Sequence, residues 1–135
     1  MNKVMFSDQK AIHWIVIGAL ICSIYVILGA FGAHGLEPHL SSKDLKTYQT
    51  GLRYMIIHGL GLILINLVFN QFSKFNRWVN WLIVIGILLF SVSLIIHGTR
   101  NLLHLDINVF AAFAPIGGLS FILAWILFAY SLIKK

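Results

Sequence analysis

The sequence carries little charge for its length, and acidic residues are especially few. Only 10% of its 135 residues are charged, with four acids against ten bases, whereas about 25% is usual in a soluble domain. Hydrophobic residues make up 59% of the chain. So few charges cannot keep that much apolar surface in water. The composition therefore excludes an ordinary soluble globule and indicates a protein whose solvent and main partner is the lipid bilayer.

Cysteine is almost absent, and the bases form no basic face. Cys22 has no second cysteine with which to pair, so an internal disulfide is excluded. The net charge is +6, but the bases stand at the ends of apolar runs, where they meet lipid headgroups. With neither a basic stripe nor an aromatic stacking platform, the sequence predicts no nucleic-acid partner.

Long apolar runs are the dominant positive feature. Four of them approach or exceed the ~20 helical residues that cross a hydrocarbon core, at about 12–31, 52–69, 78–96 and 109–133. They are continuous, whereas the strands of membrane barrels alternate apolar and polar residues. The sequence therefore predicts an all-α, integral membrane four-helix bundle, with residues 1–135 forming a single transmembrane domain.

The connections differ in length. Between the first two runs, Ser41 or Ser42 is followed by charged residues and by Leu45 and Tyr48, a pattern that predicts a capped, short interfacial helix. The other connections are short, which is typical of antiparallel neighbours in a bundle.

Counting bases gives an orientation. One membrane side has six bases and the other has four. For a protein of the cell membrane, the positive-inside rule then predicts that both termini lie in the cytoplasm. The first set is Lys3, Lys10, Lys74, Arg77, Lys134 and Lys135, and the second is Lys43, Lys46, Arg53 and Arg100.

The alternating topology places five of the six histidines on one membrane side. An ionisable residue within a span, such as His58, is costly in lipid and therefore a candidate for a functional site inside the bundle. Tyr54 precedes it by one helical turn, so the phenol hydroxyl could fix the imidazole tautomer. We predict a candidate polar site made of His34, His58, Tyr54, Arg53 and Glu37, with the last as a counter-ion for the arginine.

Three interpretations of these histidines stay open. They could tie helices together through hydrogen bonds, line a polar cavity for a proton, ion or small solute, or bind a transition metal or haem. Neither HxxxH nor HExxH occurs on one helix, so no cofactor is assigned.

Catalysis has little support. The span serines Ser91, Ser93 and Ser120 lie in no nucleophile elbow, and no carboxylate lies inside a span to orient a base. The sequence favours a non-enzymatic membrane component, either a helix-packing scaffold or a small binding or permeation unit. Because so small a chain cannot enclose a wide pore, a transport role implies a homo-oligomer, and a scaffold role implies a membrane-complex partner.

Small residues cluster near the same side. Membrane helices approach closely where small residues line the contact. A proline inside a helix removes one backbone donor, which predicts a kink or a helix start. The predicted helix-packing residues are Gly29, Gly32, Pro115, Gly117 and Gly118, and Asn66 is a predicted interhelical hydrogen bonder.

Four segments carry a family resemblance. They are LGAFGAHGL at Leu28–Leu36, YQTGLRYMIIHGLGL at Tyr48–Leu62, LFSVSL at Leu89–Leu94 and APIGGLSFILAW at Ala114–Trp125. In these the chain resembles the small four-span membrane proteins grouped as domain of unknown function 423.

The resemblance implies a polytopic membrane protein but no particular reaction or ligand. His34 and His58 match the histidines of the family motifs, as do most of the packing glycines and Pro115. The chain departs from the motifs at Val92 and Ile95, which stand in place of glycine and tyrosine, and at Arg53.

Overall fold

The computed structural model describes residues 9–104 and 108–134, with backbone alone for 108–111, so that Lys3, Asp106 and Lys135 lie outside it. The described chain contains four helices long and apolar enough to cross a membrane, and the predicted all-α four-span fold is confirmed. Their bounds are Gln9–Phe31 for α1, Ser42–Gln71 for α2, Arg77–Thr99 for α3 and Asn108–Ile133 for α4.

Irregular helical turns follow the first of these helices and interrupt the third. After Phe31 the chain continues through a π-helical turn at Gly32–Leu36 and a 3-10 turn at Glu37–His39, in which Pro38 cannot extend a regular helix. A second π-helical segment, Ile87–Val92, lies in the middle of α3.

Helix α2 begins at Ser42 rather than near Leu52. The Ser41 hydroxyl oxygen accepts a hydrogen bond from the Asp44 backbone N–H at 3.1 Å, which caps the helix as the sequence predicts. The helix then runs without a break into the second span. The residues expected to form a short interfacial helix are therefore the first turns of α2, because nothing after the cap interrupts their backbone hydrogen bonds.

Helix α2 is the most buried of the four. It packs against α1 on one face and against α3 on another, and α4 packs against α3. The core is formed by apolar side chains of α2, α3 and α4, with a row of α1 side chains against it. Helix α1 buries only Ala11 and Gly18 fully, so most of its surface is available to lipid.

The bundle has two ends, a terminal end and a distal end. The terminal end contains the start of α1, the connection between α2 and α3, and the end of α4 (residues 9–14, 72–81 and 131–134). The distal end contains the turns after α1, the start of α2 and the end of α3 (residues 32–48 and 97–104).

Candidate functional site

His58 is buried inside the bundle, with 5% of its surface exposed. Its Nδ1 lies 2.9 Å from the backbone carbonyl oxygen of Tyr54. A carbonyl can only accept a hydrogen bond, so Nδ1 carries a proton and is the donor. The ring stacks on Phe121 of α4, with centroids 3.4 Å apart and planes 12° apart. These contacts fix the imidazole inside an aromatic wall.

Tyr54 acts on His58 differently from the expectation. It is the backbone carbonyl of Tyr54, not its hydroxyl, that fixes the imidazole tautomer, because a side chain bends back over the preceding turn of its own helix. The phenol ring lies nearly parallel to the imidazole at 5.9 Å and contacts Phe90 at 4.4 Å. Tyr54 is 38% exposed, so it closes the aromatic wall towards lipid.

The other three residues of the candidate polar site lie elsewhere. His34, Glu37 and Arg53 are exposed, so the structure does not turn the imidazole of His34 into the bundle beside His58. The π-helical turn at Gly32–Leu36 changes the direction in which side chains leave the end of α1. Arg53 and His58 are five residues apart, about 140° around the helix, and therefore face different neighbours.

Arg53 instead lines a cleft between α1 and α2. This cleft of about 330 Å³ shares Gly29 with a smaller one of about 90 Å³, which Glu37 lines. A Cβ added at Gly29 would meet no atom within 4 Å, so this glycine leaves open space instead of making a helix contact. Arg53 and Glu37 do not form an ion pair in the part of the chain that the structure describes.

The remaining predicted packing residues differ in how closely their neighbours approach them. A Cβ on Gly32 would lie 2.6 Å from the Tyr48 ring, and one on Gly117 would lie 2.5 Å from the backbone nitrogen of Phe90. At Gly118 the nearest atoms are ordinary contacts at 3.7 Å. Helix α4 starts before Pro115 and runs through it, so the proline marks no helix start.

A second polar cluster, which the sequence analysis did not single out, lies at the distal end. Asp44 is 4% exposed, and one carboxylate oxygen accepts hydrogen bonds from Ser41 Oγ and Asn101 Nδ2, both at 2.8 Å. The other oxygen lies 3.0 Å from an Arg100 guanidinium nitrogen, which also donates to the carbonyl of His97 at 2.7 Å. The cluster joins the start of α2 to the end of α3.

One sequence signal could have indicated this cluster. Ser41 and Asp44 are spaced as in a capping box, so an acid at this position is expected at a helix start. Nothing in the sequence indicates its partners, which come from the far end of another helix.

Tyr48 extends the cluster to α1. It is 1% exposed, and its hydroxyl donates to the backbone carbonyl of Leu28 at 2.6 Å. A Cβ on Gly98 of α3 would lie 2.8 Å from the backbone nitrogen of Tyr48. Tyr48 thus contacts α1 through its ring hydroxyl and α3 through its backbone. Gly32 leaves room for the ring, and Gly98 leaves room for the backbone.

Asn66 forms an interhelical pair, as predicted. It donates from Nδ2 to Asn80 Oδ1 of α3 at 2.8 Å and accepts from Asn80 Nδ2 at 3.2 Å. Both side chains are fully buried. Likewise, Ser120 Oγ of α4 donates to the carbonyl of Leu82 in α3 at 2.8 Å. These polar groups are used to join helices, which leaves them little capacity for a ligand.

The metal interpretation gains no support from the geometry. Within residues 9–104 and 108–134, no three His, Cys, Asp or Glu side chains gather into a group that could hold a metal ion. His58 faces aromatic side chains, while His34 and His39 are exposed at the distal end.

Comparison with known proteins assigns the chain to a family. The family model described as "Protein of unknown function (DUF423)" matches residues 28–118. A UPF0382 membrane protein of Staphylococcus haemolyticus is 40% identical over 121 residues, which cover 90% of this chain and 95% of the relative. The UPF0382 membrane protein YwdK of Bacillus subtilis is 37% identical over 123 residues, covering 90% and 96%. No solved structure matches the chain significantly.

Proposed function

From the premise that this chain belongs to the family described as "Protein of unknown function (DUF423)", and is a four-span membrane protein, we propose that it is a non-enzymatic helix-packing scaffold. One observation carries the proposal: three of the buried polar side chains that the structure describes bind neighbouring helices. Tyr48 binds α1, Asn66 binds Asn80 of α3, and Ser120 binds the α3 backbone. In lipid, such bonds and close glycine contacts hold helices together where hydrophobicity cannot.

The stacked ring of His58 fits a closed interior. Phe121 covers one face of the imidazole, and Nδ1 is bonded to the carbonyl of Tyr54 in its own helix. A route for protons would need further polar partners along the span. The aromatic neighbours of this ring are Tyr54, Phe121 and Trp125, which supports a packing role for the histidine.

A flux measurement tests this proposal. The full chain is reconstituted into liposomes containing a pH-sensitive dye, a proton gradient is imposed, and gramicidin serves as the positive control. We expect the wild-type protein and the His58→Phe variant to leak no faster than empty liposomes. A leak that grows with protein content and is abolished in His58→Phe would overturn the scaffold in favour of a permeation unit.

A second candidate function is a small binding unit, which the open space at Gly29 favours. The two clefts that share this glycine have Arg53 and Glu37 on their walls. The variant Gly29→Leu fills this space without a clash at Cβ. A small molecule that co-purifies with the wild type and is lost from Gly29→Leu, as seen by mass spectrometry of extracts, would support binding. Identical extracts would exclude it.

We also propose that the single transmembrane domain lies in the cell membrane with both termini in the cytoplasm. The support is the sequence count, which gives six bases on the membrane side of the termini and four on the other. Single cysteines at Ser73 and Ser42, in a Cys22→Ala background, test it with an impermeant thiol reagent on intact cells. Labelling at Ser42 is expected, and preferential labelling at Ser73 would reverse the orientation. A homo-oligomer or a membrane-complex partner is likewise proposed, to be sought by crosslinking in the membrane.

A further inference from the structure

A cleft at the terminal end separates α1 from α3. It has a volume of about 510 Å³, within the range of about 300–1,000 Å³ that is usual for ligand sites. Its apolar walls are formed by Trp14, Ile17, Phe75, Trp81 and Val84, and its polar wall by Lys10, His13 and Arg77.

The cleft exists because α1 is held by α2 rather than by α3. The close contact of α1 is at Gly18, where a Cβ would lie 2.8 Å from the backbone carbonyl oxygen of Gly59 in α2. Towards α3 the contact is edge to face, between Trp14 and Trp81, with ring centroids 5.4 Å apart and planes 83° apart. An edge-on aromatic pair separates the two backbones and leaves a space beside it.

The charged side chains that the structure describes around the cleft are all basic. Within residues 9–17, 68–84 and 127–134 the structure describes the bases Lys10, Lys74, Arg77 and Lys134 and no acid. Lys74 binds backbone carbonyls at the end of α4. Lys10 and Arg77 are exposed and line the cleft, with Lys10 Nζ 6.0 Å from the Phe75 ring and the Arg77 guanidinium 5.0 Å from the Trp78 ring.

We propose that this cleft binds one anionic phospholipid. Its phosphate lies between Lys10 and Arg77, and an acyl chain follows the apolar wall past Ile17 and Val84. Three observations favour this occupant over a soluble one. The two cations stand at the end of the spans, at headgroup depth; tryptophans border them as in an interfacial belt; and the apolar wall leads into the span. Basic pockets between membrane helices are a recurring form of headgroup site.

Binding to the purified full chain in a non-ionic detergent tests the proposal. Native mass spectrometry compares dioleoylphosphatidylglycerol with dioleoylphosphatidylcholine, and inorganic phosphate is added separately as a competitor. We expect phosphatidylglycerol to bind preferentially and Lys10→Gln/Arg77→Gln to weaken it about 30-fold, which corresponds to about 1 kcal/mol for each base near an anionic surface. Arg77→Lys keeps the charge and is expected to keep most of the affinity.

The matched control removes the same charge elsewhere. Lys43→Gln/Lys46→Gln, at the distal end, should bind phosphatidylglycerol like the wild type. If the double variant at the cleft does not purify, Val84→Phe narrows the acyl part of the cleft while both charges stay, and should also weaken binding. Equal binding of both lipids, equal losses in both double variants, or full displacement by millimolar phosphate would each overturn the proposal, the last by showing a free-phosphate site.

Discussion

The two ends of the bundle hold their helices together in different ways. At the distal end, polar side chains of α2 reach across to α1 and α3, and glycines let the backbones approach them. At the terminal end, α1 meets α3 through one edge-on tryptophan pair, and the side chains of Lys74 and Asn76 bind the last turn of α4. The difference shows that one end is fixed by closely packed polar contacts, while the other keeps an open cleft.

The largest effect is expected at Asp44. Removing one partner of a buried ion pair typically costs about 3–5 kcal/mol. Arg100 is 22% exposed and can recover some hydration, so Asp44→Ala should lower the free energy of unfolding by about 3 kcal/mol. The measurement is reversible SDS unfolding in mixed micelles. The matched control is Glu37→Ala, an exposed carboxylate of the same end, which should be nearly neutral. Equal losses in both variants would mean that the distal cluster does not fix this end.

A pair of glycines one helical turn apart sharpens the comparison. At Gly32 an added methyl meets the Tyr48 ring, which is buried and held by the hydrogen bond from its hydroxyl to the carbonyl of Leu28. Gly32→Ala should therefore cost about 1–3 kcal/mol. Gly29→Ala faces open space and should change stability by less than about 0.5 kcal/mol. Thermal unfolding in one detergent compares the two. If Gly29→Ala is the more harmful, the close packing assigned to this end is wrong.

The smallest expected effect is at the terminal end. Lys74 Nζ donates to the backbone carbonyls of Ser131, Leu132 and Lys134 at 2.7–3.0 Å. A cation there binds carbonyls left free at the helix end and is attracted to the negative end of the helix dipole, so Lys74→Met should cost about 1 kcal/mol. Proteolysis of the C-terminal turn should increase at the same time. Lys43→Met removes an exposed lysine and is the control; it should leave both stability and proteolysis unchanged.

The spans were predictable because lipid imposes a simple rule on sequence. About 20 apolar residues are needed for each crossing, and the observed helices contain all four predicted runs. A capped helix at Ser41 or Ser42 was predicted, but as a short interfacial helix leading into the second span. Its continuity with that span was not predicted, because Lys43, Asp44 and Lys46 lower the hydropathy of these first turns. Charged residues between a helix cap and an apolar run are part of the spanning helix when no turn separates them from it.

The candidate site was only partly predictable. Burial of His58 follows from the cost of an imidazole in lipid, and the pairing of Asn66 follows from the same cost for an amide. The spatial neighbours of a residue are harder to predict, because two residues on the same membrane side can face different helices. Arg53 and His58 illustrate this: they are close in sequence and face different grooves. The partner of Asp44 came from the end of α3, which no local pattern indicates.

The π-helical segment at Ile87–Val92 determines which neighbour each half of α3 faces. Before it, Leu82 accepts a bond from α4 and Gly86 lies against Phe121; after it, Gly98 lies against α2. A π turn accommodates one residue more than an α turn. Winding the same six residues as a regular α-helix would rotate everything beyond them by about 100°, carrying Arg100 away from Asp44. Because the wide turn takes up one extra residue, deleting one residue within it would leave the end of α3 close to its present place, whereas a deletion elsewhere in α3 would turn Arg100 away from Asp44.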